Sequence, residues 1–132
     1  MDRIAIEQLL PHRGPALWLD TVTQLDADSI SGETVVGCLP PCGQNGNSYL
    51  LYEAAAQLCA VHGASRAGSA KRAYVAKVQQ LQIHHHYSAN QAVTVRCQLL
   101  SQNLAGALYQ FSLYQNPQLL LSGNLLVVIE YA

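Results

Sequence analysis

The segment Ser48-Tyr-Leu-Leu-Tyr-Glu-Ala-Ala-Ala-Gln-Leu-Cys-Ala-Val61 decides the fold, and it carries one residue foreign to an apolar run. It reads as a single helix, rich in alanine so that other backbone can approach closely. Asn47 or Ser48 is placed to cap its start, and Gly63 is placed as its stop. Within it, Glu53 is the only acidic residue between Glu33 and Glu130. Buried carboxylates are uncommon unless paired, and carboxyl groups in perturbed environments are the ones that serve as proton donors near neutral pH. Glu53 is therefore the first candidate for chemistry. The alternative is a solvent-facing glutamate on an amphipathic helix.

Around this helix the periodicity changes. From residue 73 onward apolar residues recur every second position. Val93, Val95, Cys97 and Leu99 share one face against Thr94, Arg96 and Gln98, and Tyr109, Phe111 and Leu113 repeat the pattern. A third run, from Leu119 to Tyr131, groups Leu119, Leu121, Leu125, Val127 and Ile129. The breaks at Asn103 to Gly106 and at Gln115-Asn-Pro-Gln118 are short, which implies antiparallel hairpins and a meander of long strands. Ahead of the helix, Leu17 to Leu25 and Ser29 to Gly37 form a further hairpin across Asp26-Ala-Asp28, followed by a loop rich in Pro and Gly. The expected architecture is α+β, a long antiparallel sheet wrapped around one central helix.

The 132 residues, half of them apolar, suffice for one well-buried domain spanning 1–132. Charged residues make up only 11% of the chain, against about 25% in ordinary soluble domains. Such a surface favours a subunit that hides area in an oligomer. A net charge of -1 and the lack of any basic run argue against a nucleic-acid partner. No apolar run approaches the roughly 20 residues of a membrane span, and the opening Met-Asp-Arg-Ile-Ala-Ile-Glu lacks the core of a secretory signal. The expected location is the cytoplasm, with Cys38, Cys42, Cys59 and Cys97 all reduced.

Two segments, in this order, resemble the β-hydroxyacyl-acyl carrier protein dehydratases, a hotdog-fold family. Leu9-Leu-Pro-His-Arg-Gly-Pro-Ala-Leu-Trp-Leu-Asp-Thr-Val22 is similar to the family's opening Leu-Pro-His-Arg, Pro, apolar run and Asp-Arg-Val. Glu53-Ala-Ala-Ala-Gln57 is similar to its Glu-Ala-Met-Ala-Gln on the hotdog helix. The resemblance implies a hotdog fold over nearly the whole chain and dehydration of 3-hydroxyacyl thioesters, with no cofactor. It makes Glu53 the acid that protonates the departing hydroxyl, and Gln57, one turn along the same face, the residue that orients it. Gln57 otherwise reads as a plain surface amide. In the family a histidine from a Gly-His-Phe-Pro loop acts with the glutamate across a dimer.

Here the chain departs from the pattern, because no histidine lies between His12 and His62. Gly37-Cys-Leu-Pro40 can be laid on the loop motif, putting Cys38 at the histidine position; counted from the preceding hairpin, the same loop is shortened and the segment is missing. A thiol near its ordinary pKa of about 8.5 makes a poor base without a helper. His12 is read as structural, and replaces the absent base only if a dimer brings it to Glu53. A loop of this kind also resembles the dehydratase-like subgroup from bacterial aryl polyene clusters. Three activities stay open: a working dehydratase, an impaired subunit that binds a carrier or pairs with an active dehydratase, and a thioesterase.

Arg66, Lys71, Arg72 and Lys77, four of the seven basic residues, suit an acidic carrier protein or the phosphates of coenzyme A, or are an ordinary solvated loop. His84-His85-His86 offers too few converging ligands for a metal, and none is expected. By resemblance these histidines line the seam of a homodimer or a larger, possibly mixed, oligomer. The implied partners are an acyl carrier protein or a coenzyme A thioester.

Overall fold

The computed structural model describes residues 1–34, 48–67, 70–88, 91–103 and 106–131. Cys38, Cys42, Asn47 and the end of the first expected hairpin lie outside them. Helix α1 (Arg3–Leu9) starts the chain, its cap supplied by Asp2, which accepts from the Ala5 amide at 2.9 Å. After a 3-10 turn at Gly14–Ala16 come strands β1 (Leu19–Leu25) and β2 (Ser29–Thr34), then a second 3-10 turn (Ser48–Leu51) leading into helix α2 (Tyr52–Ala67). Strands β3 (Ala70–Ile83), β4 (Thr94–Asn103), β5 (Gly106–Gln115) and β6 (Gln118–Tyr131) follow. All six form one antiparallel sheet in the order β1-β2-β4-β5-β6-β3, with α2 against its inner face. This is the hotdog arrangement.

Three details differ from the sequence reading. α1 was not foreseen; it buries Ile6 and is short enough to depend on that packing. The helix does not stop at Gly63 but runs on to Ala67. A glycine inside a helix costs about 1 kcal/mol, which the burial of its neighbours Val61, His62 and Ala64 offsets. The strands are not a simple meander either, because β3 skips its sequence neighbour β4 and pairs with β6 at the far edge.

Alternation holds in β5, where Ala107, Tyr109, Phe111, Leu113 and Gln115 face inward. In β6 it breaks. Opposite Leu113 and Tyr114 the register slips by one residue, so Leu120 and Leu121 are both buried and Leu119 leaves the inner face. Along α2 every residue from Ala54 to Ala64 is buried, so the helix is enclosed rather than amphipathic. Its buried His62 is pinned on both sides. The Asp26 carbonyl can only accept, so Nε2 carries the proton and donates to it at 2.9 Å, leaving Nδ1 to accept from the Tyr109 hydroxyl at 2.7 Å.

Cys59 and Cys97 are buried free thiols facing each other between α2 and β4. Burial, reinforced by the hydrogen bond and negative potential of Cys97, pushes the Cys59 pKa well above its ordinary 9.0. The unfolded thiol ionises first as the pH rises, so folding stability that is fully present below pH 9.0 is lost above it. Thermal melts at pH 7 and pH 10 should show a fall in Tm, and Cys59→Ala should make that fall smaller. An identical fall in the variant would exclude the thiol as a source.

Candidate active site

Glu53 occupies the first turn of α2, where a negative side chain is favoured by the helix dipole. Its side chain is 40% exposed in the single chain, so the deep burial inferred from the apolar run does not occur. The reason is position: Tyr52 and Glu53 precede the enclosed run that begins at Ala54. The carboxylate lies against a pocket of about 20 Å³, enough for one water molecule, lined by His12, Ala56, Gln57, Tyr74, Val75 and Val127.

Gln57, one turn further on, is buried and is not a surface amide. Its Nε2 donates to Glu53 Oε1 at 3.3 Å and to the Ala16 carbonyl at 2.8 Å, while its Oε1 accepts from the Trp18 amide at 2.9 Å. One amide thus clamps the opening motif to the helix and holds one oxygen of Glu53. The same loop is gathered from its other side by Arg3, whose guanidinium donates to the carbonyls of Gly14, Leu17 and Leu19 at 3.0, 3.1 and 3.0 Å. Gly14 enters the turn at φ +56°, a conformation that suits glycine.

Held this way, the loop delivers His12 to Glu53 within one chain, with no dimer needed, contrary to the sequence reading. Nε2 of His12 stands 3.8 Å from Glu53 Oε1, and the imidazole is 19% exposed. Its Nδ1 is sealed from solvent and has no hydrogen-bond partner among the described residues. An orphan of this kind costs about 1 to 3 kcal/mol, which marks the ring as held by its surroundings rather than by its own bonds.

Other candidates fall elsewhere. Cys38 lies outside the described residues, as do the side chains of Lys71 and Arg72. Arg66 is at the opposite end of α2, roughly 20 Å from Glu53 at 1.5 Å per residue. There it donates to the Ala27 carbonyl at 3.3 Å and to Gln102 Oε1 at 2.8 Å, tying the helix end to the β1-β2 turn and to β4. Lys77 is exposed on β3, the strand whose Tyr74 and Val75 line the Glu53 pocket. His84 meets the Ser122 hydroxyl and His85 the Leu119 carbonyl, both at 3.0 Å, on exposed strand ends. A depression of about 1210 Å³ lies on the outer face of the sheet, lined mainly by Gln, Ser and Thr side chains together with Arg96, with no carboxylate among the described residues.

No curated relative matches the sequence. The fold is similar to the dehydratase heterocomplex ApeI:P from Xenorhabdus doucetiae, at TM-score 0.82 and 17% identity, over 95% of this chain and 90% of that one. It is also similar to a mutant thioesterase from Pseudomonas aeruginosa, at TM-score 0.61 and 9% identity, over 82% and 78% of the two chains. A sigma28-regulated virulence protein from Campylobacter jejuni gives TM-score 0.65 and 11% identity, over 97% and 88%. At these identities the likenesses establish the hotdog fold alone. The sequence itself matches the ApeP dehydratase profile over residues 4–130, and with that the chain belongs to the ApeP-like dehydratase family, hydro-lyases acting on acyl thioesters.

Proposed function

We propose that this chain is one hotdog domain that removes water from 3-hydroxyacyl groups carried on an acyl carrier protein, in the assembly of polyunsaturated chains. The observation that carries the reading is the half-anchored carboxylate: Glu53 accepts from Gln57 through Oε1 and lines a small pocket together with His12. A carboxyl group so placed protonates a departing hydroxyl while a base takes the proton next to the thioester carbonyl.

Incubation of the purified protein with a 3-hydroxyacyl carrier thioester should yield the 2-enoyl thioester, detected by mass spectrometry as the loss of one water. Release of free carrier thiol in its place would favour the thioesterase reading, which the likeness to the Pseudomonas thioesterase keeps in view.

A second reading has its own support. Besides Glu53, the described residues lining the pocket include only His12 and Tyr74 as titratable side chains, and the Xenorhabdus relative is a heterocomplex. On this reading the base comes from another subunit, seated along β3, an edge strand that leaves Tyr74, Leu81 and Ile83 exposed. Turnover that begins only when a second hotdog subunit is added would favour it over a homodimer. Turnover by the isolated protein would exclude it.

A further inference from the structure

Resting on the dehydratase reading, the geometry points to His12 as a positioning residue that decides which oxygen of Glu53 reacts. His12 and Gln57 together hold Oε1, and Oε2 is the atom that transfers the proton.

The contacts on the carboxylate are one-sided. Gln57 Nε2 at 3.3 Å and His12 Nε2 at 3.8 Å both face Oε1, while Oε2 receives no hydrogen bond from the described residues. The tautomer of His12 follows from its surroundings. A proton on the sealed Nδ1 would be a buried donor with no acceptor among the described residues, and such orphaned N–H groups are rare. The single N–H of the neutral ring is therefore on Nε2, the side that faces Glu53. Arg13 fixes the backbone on which the ring is mounted, its Nη1 donating to the carbonyls of Leu10 and His12 at 2.6 and 2.7 Å. The Gln57 clamp on Ala16 and Trp18 holds the same loop from the helix side. Among the described residues, the other titratable groups facing the imidazole across the pocket are Glu53 and Tyr74.

During elimination the Oε2–H bond breaks and its proton goes to the departing hydroxyl oxygen. The Cβ–O bond breaks and water leaves. The electron pair of the Cα–H bond forms the new double bond, and that hydrogen goes to the base as a proton. Negative charge is left on the Glu53 carboxylate, where it delocalises onto Oε1, the oxygen that two N–H groups face. At 3.8 Å the His12 contact is too long for a hydrogen bond in the resting chain. Catalytic contacts of this kind tighten as charge develops, so His12 stabilises the transition state more than the bound substrate.

Two measurements test this. Nitrogen-15 spectra of histidine-labelled protein should show His12 as the Nε2–H tautomer, and Glu53→Gln should move its signals; an Nδ1–H tautomer, or signals indifferent to that substitution, overturns the pairing. In the assembly that turns over, His12→Leu should lower kcat about tenfold to hundredfold. KM should stay within about twofold, and His12→Gln, whose amide nitrogen can reach the position of Nε2, should recover most of the rate. Equal losses in both variants, or a loss confined to KM, also overturn it. The spectra need no turnover, so the pairing can fail while the dehydratase reading stands, and the reverse.

Discussion

Glu53→Gln will abolish dehydration while leaving the fold intact. A positioned acid or base contributes about 10²- to 10⁴-fold, so kcat should fall by that factor in an enoyl-formation assay. The substitution is well suited to separate chemistry from structure. Glutamine keeps an oxygen where Oε1 accepts from Gln57, so the clamp on Ala16 and Trp18 survives. The side chain is 40% exposed, so no buried packing is lost. What disappears besides the proton is a favourable charge at the start of α2, a loss of about 0.3 to 1 kcal/mol. The Tm should therefore move by only a few degrees while kcat falls by about 10²-fold or more. An unchanged rate would remove Glu53 from the mechanism.

The largest effect on stability is expected at Phe111→Ala. The ring is 1% exposed on β5 and lies directly over Gly123 of β6, its partner in the ladder; a methyl group built on that glycine would meet the ring at 3.2 Å. Removing the ring leaves a hole with a glycine on one side, and neither ladder strand can move in to fill it. Phe→Ala losses in cores run about 3 to 5 kcal/mol, and the high end fits a site that collapses poorly. For a chain of this size the Tm should drop by roughly 10 to 20 °C in a calorimetric scan. A drop of only a few degrees would mean that the sheet closes over the gap.

These two residues were both legible in the sequence, for different reasons. Phe111 belongs to an alternation that holds because each face of β5 meets one environment throughout. Glu53 was conspicuous because one charge in an apolar run must be explained, whereas Gln57 was singled out only by its resemblance to the family's helix motif, since spacing alone also fitted a surface amide. What stayed hidden depends on contacts between distant residues. The approach of His12 to Glu53 is created by a loop that Gln57 and Arg3 hold, and nothing in local spacing reports it. The slip that buries Leu120 is set by how β6 pairs with β5, so alternation alone misplaced Leu119. Arg66 and Lys77 are near in sequence yet belong to different elements, because a helix ends and a strand begins between them.

The position of β3 beyond β6 imposes a timetable on biosynthesis. As the chain leaves the ribosome β3 emerges ahead of β4, β5 and β6, but its only described sheet neighbour is β6. The β4-β5 and β5-β6 hairpins close over short turns and can zip at once, whereas β3 must wait for a distant strand. Through that interval its backbone is an unclaimed edge, and adhesive edges are what draw nascent chains into aggregates. A stall in translation before β6 would leave the chain in that vulnerable state.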